Sequence, residues 1–336
     1  MHSRTAILVA ALAGLHVILL FAGFVAPYDP ATQDRELPYA PPTRLHFEDA
    51  SGFHLRPFVY ASMRVLDGDQ AGSYQEDQTH AFPVQFLLHG SSYKLLGLHE
   101  TTLHLFGVVE PARILVLGTD GYGRDEFSRV LFGGQISVAA GITATFIALL
   151  AGGILGSVAG YYGRWIDESL MGVTELFLSL PWLYFLLGVR AFLPLHLSAL
   201  HTFFLLTGVI GLIGWARPAR LVRGIVLSSR NRNYVLAARG FGASDFYILW
   251  RHVIPEAFGV LLTQAALLVP QYIAAEVTLS FFGLGVSEPV PSWGNMLSAL
   301  EQYSVLVAYG WLLAPAGALI ITSVLYGYLA DALHSG

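Results

Sequence analysis

The chain has 336 residues, of which 54% are apolar and only 12% charged, with a net charge of −5 and no cysteine. A soluble domain carries roughly 25% charged residues, so a soluble enzyme is excluded, as are disulfides, Fe–S clusters and thiol chemistry. The apolar residues fall in runs that reach the ~20 residues needed to cross a bilayer. They predict an all-α polytopic membrane protein of six spans.

The first span is residues 5–26, TAILVAALAGLHVILLFAGFVA. It is read as a retained helix, because a cleaved signal peptide has a shorter apolar core of about 7–15 residues. Residues 27–117 hold six of the twelve histidines and the only lysine, Lys94. FHLRPFVY (53–60), FPVQFLL (82–88) and TLHLFGVV (102–109) alternate with a period of two, and DGDQAGSYQED is read as the separator between them. That predicts a small β-rich extracytoplasmic insertion between helices 1 and 2. His99 and His104 flank a segment resembling a zinc-protease motif, but their spacing rotates the second by about 140° on a helix, so no metal site is expected.

Residues 118–135 are polar and glycine-rich, and Asp120, Arg124, Asp125 and Arg129 are expected to pair along a helix lying at the interface. The second span, 136–160, carries Gly152, Gly156 and Gly160 at four-residue spacing, a stripe that admits a second helix backbone to backbone. A polar turn, YYGRWIDES, precedes a third span at 171–193, interrupted by Pro181, and a fourth at 200–217. Seven of the eighteen basic residues follow between Arg217 and Arg251, with Asp245 as the one acid in that segment. The positive-inside rule places this stretch in the cytoplasm. Spans five (257–280) and six (305–330) then leave both termini cytoplasmic.

Within the basic stretch, Tyr234–Pro255 is built as a knob. Ala237 and Ala238 give a helix a smooth patch, Gly242 ends it, and Ser244 or Asp245 caps a second short helix running to Pro255. Ala237, Ala238, Gly242 and Pro255 stand at the spacings of the cytoplasmic loop of ABC importer permeases. The chain resembles those integral membrane subunits in the dipeptide, oligopeptide and nickel group, from about Leu117 to Leu329. Leu236 stands where that family has glutamate. GTDGYGRDEFSR (118–129) and EVTLSFFGLGVSEPVPSWGNML (276–297) are similar to two further signatures of the group.

The resemblance implies a domain order of N-terminal helix (1–26), insertion (27–117) and permease core (118–336) with a coupling loop at 217–256. It implies ATPase-coupling residues Tyr234, Ala237, Ala238, Arg239, Gly242, Ala243, Ser244 and Pro255. Ala237 and Ala238 would pack against the ATPase, and Arg239 would meet an acidic rim. The implied partners are a second homologous permease, two cytoplasmic ATPase subunits that bind ATP-Mg, and an extracytoplasmic solute-binding protein, in the inner membrane of a prokaryote. Nucleic acid is not among them. The chain shows no phosphate-binding loop, since Lys94 lacks the upstream glycines, so no catalytic residue, cofactor or metal is expected.

Glu276, with Ser280, either lines the translocation path or fixes the FFGLG turn that follows. The alternative function is an ion-coupled secondary transporter or channel subunit, which would want mid-span charge and an inverted repeat. An intramembrane hydrolase is disfavoured: His16 has no serine or aspartate at helical spacing, and His196 and His201 are read as loop residues.

Overall fold

A computed structural model describes residues 2–49, 52–67, 70–95, 97–192 and 198–334. The chain is mostly helical. It divides into two compact units, residues 1–12, 138–279 and 321–336 in one, and 13–137 and 280–320 in the other.

Helix α1 (His2–Leu20) gives way at Phe21 to the short α2 (Ala22–Val25). Helix α3 runs over Glu126–Tyr162, starting well before the expected residue 136. The early start has a local cause. Asp125 Oδ2 accepts from the Ser128 backbone N–H at 2.8 Å and from its hydroxyl at 2.6 Å, capping the first turn. Residues 118–125 are therefore not an interfacial helix. They form a turn in which Gly118 and Gly123 take φ of 75° and 72°, closed by a bridge between Thr119 and Asp125.

The polar turn expected at YYGRWIDES shrinks to one residue, Gly163, beyond which α4 (Arg164–Ser179) begins. Leu180 is extended, as a residue before proline must be, and α5 (Trp182–Ala191) leaves at 90° to α4. Ser198 caps α6 (Ala199–Ile213), with its hydroxyl 2.7 Å from His201 Nδ1. His201 is thus a helix residue rather than a loop residue; His196 lies outside the described residues. After a 42° bend, α7 (Ala216–Ser229) continues.

Arg217, Arg220 and Arg223 are consequently helical, not part of a loop. The reason is a stripe of Ala216, Ala219, Val222, Val226 and Ser229, all buried and three to four residues apart. This stripe lies against the α3 glycines. A Cβ at Gly152 would come 2.7 Å from the Trp215 carbonyl, one at Gly160 2.8 Å from the Arg223 carbonyl, and one at Gly156 would overlap Ala219 O. On its other side α7 is tied to α4 by two ion pairs. Arg223 Nη2 donates to Asp167 Oδ2 at 2.6 Å, and Arg220 Nη2 to Glu175 Oε1 at 2.9 Å.

The chain continues through α8 (Asn233–Gly240), α9 (Asp245–Ile248), a π-turn (Leu249–Val253) and α10 (Ile254–Phe281). Then come α11 (Trp293–Leu297), α12 (Tyr303–Ala308) and α13 (Ala314–His334). Among the described residues three helical stretches are long and apolar enough to cross a membrane: Glu126–Tyr162, Asp245–Phe281 and Gly310–His334. With α4/α5 and α6/α7 each taken as one bent span, the number is five.

Among the described residues the second unit contains five strands: β1 (His46–Asp49), β2 (Gly52–Asp67), β3 (Gln70–Pro83), β4 (Gln85–Leu95) and β5 (His99–Gly107). They form a β1-β2-β3 sheet and a separate β4-β5 hairpin. The polar stretch 67–77 is not the separator it was read as. Most of it pairs in β3, with Arg64 opposite Tyr74 and Met63 opposite Gln75. Exposed polar strand residues lack the alternation that marks a half-buried strand. FPVQFLL is instead split at Val84, whose N–H donates to Pro57 O at 2.8 Å. Val59, Val84, Val108, Ala112 and Ile114 make the core of this region.

Candidate functional site

The segment between α7 and α10 folds as a compact knob on its own apolar centre. Val235 from α8, Ile248 from α9 and Val253 from the π-turn are buried together with Tyr161, Val222, Val226 and Ala257. Ala238 and Ala243 pack against this centre, while Ala237 is exposed. Gly242 takes φ +83°, a left-handed turn that a side chain would strain, and Ser244 accepts the Tyr247 N–H at 3.3 Å to start α9. The cap is thus Ser244, with Asp245 in the first turn.

Asp245 has a different partner. The Tyr161 hydroxyl, at the end of α3, donates to Asp245 Oδ1 at 2.6 Å and accepts from Arg239 Nη2 at 2.9 Å. Arg239 also lies over the Tyr161 ring, 5.5 Å from its centroid. Arg239 is exposed, with one guanidinium nitrogen engaged by the Tyr161 hydroxyl. A second tie is Glu256, which accepts from Arg232 Nη1 at 3.2 Å and from the hydroxyls of Ser229 and Tyr234. Burial, with the Glu256 carboxylate behind it, holds the Tyr234 phenol above the usual tyrosine range.

Pro255 does not end the second helix of the knob. Residues Asp245–Phe281 run as one stretch, with Pro255 just inside α10. Proline removes an N–H and crowds the carbonyl four residues back; the wider π-turn at Leu249–Val253 is a known way of accommodating such a break. The knob presents a mixed face outward, with Arg232, Arg239, Asp245 and Arg251 exposed among large apolar and aromatic side chains. Phe241 is 92% exposed, and Leu236, Phe246, Tyr247 and Trp250 are exposed beside it in sequence.

In the other unit, two stretches that the sequence marks separately come together. Arg124 Nε donates to Asp120 Oδ2 at 2.6 Å, and its Nη1 and Nη2 grip Glu288 at 2.6 Å and 3.3 Å. Arg129, 1% exposed in its side chain, gives Nη2 to Glu288 Oε1 at 2.8 Å and Nη1 to the Pro30 carbonyl at 3.3 Å. The 118–129 and 276–297 signatures are therefore two halves of one clasp. Sequence reading missed it because the partners are 164 residues apart. One signal was available: Glu288 is the sole acid between Val277 and Leu300.

The last turn of that clasp is set by Trp293, whose Nε1 donates to the Val130 carbonyl at 2.9 Å, and by a capping box between Ser292 and Asn295. Glu276 and Ser280 are each 1% exposed, so neither side chain opens to water here. Ser280 lies so close under Gly285 that a Cβ there would overlap it. No group of histidines and carboxylates able to hold a metal occurs among the described residues.

A family model described as "Binding-protein-dependent transport system inner membrane component" matches residues 152–335. The chain is 36% identical over 237 residues to the oligopeptide transport system permease protein OppC of Bacillus subtilis, covering 70% of this chain and 75% of that one. It is 37% identical over 218 residues to the dipeptide transport system permease protein DppC of the same organism, covering 65% and 66%. An inward-facing structure of the MetNI methionine ABC transporter is similar over 61% of this chain and 95% of its own, at 16% identity and a TM-score of 0.44.

Proposed function

The chain belongs to the binding-protein-dependent transport inner membrane component family and is a multi-pass membrane subunit of an ABC importer; from that premise we propose that its cargo is peptides, taken from an external binding protein. The curated relatives named for oligopeptide and dipeptide transport support that cargo class. The energy comes from two separate ATPase subunits, and a homologous permease completes the path. The chain crosses the membrane six times with both termini in the cytoplasm, and residues 27–117 form an extracytoplasmic insertion ahead of the permease core, 118–336.

The observation that carries the reading is the knob. It is held from within by its own apolar centre and the Tyr161 and Glu256 ties, and it exposes Leu236, Phe241, Phe246, Tyr247 and Trp250 among basic side chains. A monomeric surface has little reason to display a run of aromatic side chains on a fixed mount unless a partner covers them. An ATPase groove closing on Leu236, Phe241 and Phe246 would move the helices behind the knob as a rigid body. Tyr234, Ala238, Arg239, Gly242, Ala243 and Ser244 then serve by holding the mount in shape, and Ala237 by lying flat in the contact.

The test is a pair of aspartates at positions that point away from the knob's own core, Leu236→Asp with Phe241→Asp. Co-purification of the ATPase subunits is expected to fall at least tenfold while membrane insertion is unchanged. Undiminished co-purification would remove the coupling role from this segment.

A further inference from the structure

Both helix breaks of the first unit open on one cleft. The 90° break between α4 and α5 contributes Leu180 and Trp182, and the bend between α6 and α7 contributes Gly214, Ala216 and Arg217. α10 closes the third side with Gln271 and Tyr272, leaving a volume of about 140 Å³. Interrupted spans in transporters occur where irregular backbone lines a solute cavity, because lipid cannot satisfy the freed N–H and C=O groups. Two interruptions meeting at one cavity is that situation.

The chemistry of the cleft has one sign. Arg217 is the only charged side chain among its described lining residues. On α7, Arg220 is paired with Glu175 and Arg223 with Asp167, whereas Arg217 has no acidic partner among the described residues. It stands near the middle of the α6/α7 pair, Ala199–Ser229, where an unpaired charge is costly unless it faces a cavity. The first turn of α7 adds to it, since Trp215 supplies no side-chain cap and a helix start carries a partial positive charge. The Tyr272 ring reaches the same place, its hydroxyl lying over Gly214 where no Cβ fits.

We infer that this cleft is a carboxylate site, in which Arg217 and the start of α7 receive the free C-terminal carboxylate of the translocated solute, with Gln271 and Tyr272 as neutral hydrogen-bond partners. A planar guanidinium takes a carboxylate through two parallel hydrogen bonds, which a terminal amide cannot replace. The inference deepens the peptide-import reading and rests on it for the identity of the cargo.

The full chain, reconstituted in lipid nanodiscs, is titrated with triglycine and with triglycinamide and followed by saturation-transfer NMR of the peptide protons. Triglycine is expected to bind at least tenfold more tightly than its amide. Arg217→Gln is expected to erase that preference, and Arg217→Lys to keep part of it. Equal binding of acid and amide, no binding of either, or an unchanged preference in Arg217→Gln would each overturn the site. The acid–amide comparison is made on the unaltered chain, so it decides the matter even where a variant fails to fold. ATPase co-purification reads the importer assignment separately. A chain that assembles with ATPase but ignores the carboxylate loses only this site, and one that prefers the acid but never assembles keeps it.

Discussion

At the scale of single residues, Asp125 shows how one carboxylate both builds and taxes the structure. It starts α3 by accepting two hydrogen bonds from Ser128, yet it is buried, and its Oδ1 has no hydrogen-bond partner among the described residues. Burial pushes its carboxyl up to about 6, against the opposing pull of the Ser128 hydrogen bonds. A folded-state value above the unfolded one favours folding while the group is protonated. Its contribution is whole below about pH 4 and disappears by about pH 6, a difference on the order of 3 kcal/mol. Asp125→Asn keeps the acceptor and removes the charge. Apparent melting temperatures in detergent should therefore rise for this variant at pH 7.5 and flatten between pH 4 and 6. A variant that melts lower at pH 7.5 would show that the charge, not the acceptor, holds the cap.

At the scale of elements, α3 is the surface on which α7 is laid. Gly152, Gly156 and Gly160 let the α7 backbone come to within the reach of a single methyl group, whereas Gly153, on the same helix, has open space where its Cβ would be. Gly156→Leu must push α7 away and is expected to cost about 1–3 kcal/mol or more, the usual range for overpacking. Gly153→Leu should be close to neutral in the same thermal assay, and equal losses at both positions would sink the close-contact account. A four-residue glycine spacing is readable from sequence because it names one face of one helix. Which helix fills that face is not readable, and here α7 had the disguise of a basic loop. Its arginines were legible as charge but not as ion pairs, because Asp167 and Glu175 lie 56 and 45 residues away. Pro255 misled for the opposite reason: a reliable local rule, that proline ends a helix, was overridden by the π-turn just before it. Arg217, the residue on which the carboxylate site depends, is one arginine of a basic run in sequence, and only the helical start of α7 and the bend before it set it apart.

At the scale of the molecule, the helical membrane class was legible in composition alone, since 12% charge in 336 residues leaves few other folds open. Long-range pairings were not, as the Arg124–Glu288 clasp shows. Topology can be tested directly because the chain has no cysteine to remove. With Glu76→Cys and Asn231→Cys made singly, a membrane-impermeant maleimide added to spheroplasts should label position 76 at once and position 231 only after lysis. The reverse pattern would invert the proposed orientation.

The two ties of the knob have a mechanical corollary. Tyr161 belongs to the last turn of α3 and Glu256 to the first turn of α10, and the knob is bonded to both. Under the proposed coupling role, a push at Phe241 would reach two shafts at once, like a yoke. Tyr161→Phe removes the two hydroxyl hydrogen bonds on the α3 side while keeping the ring, and under the proposed coupling role it should leave ATPase co-purification intact but run with slip, with less solute moved per ATP hydrolysed.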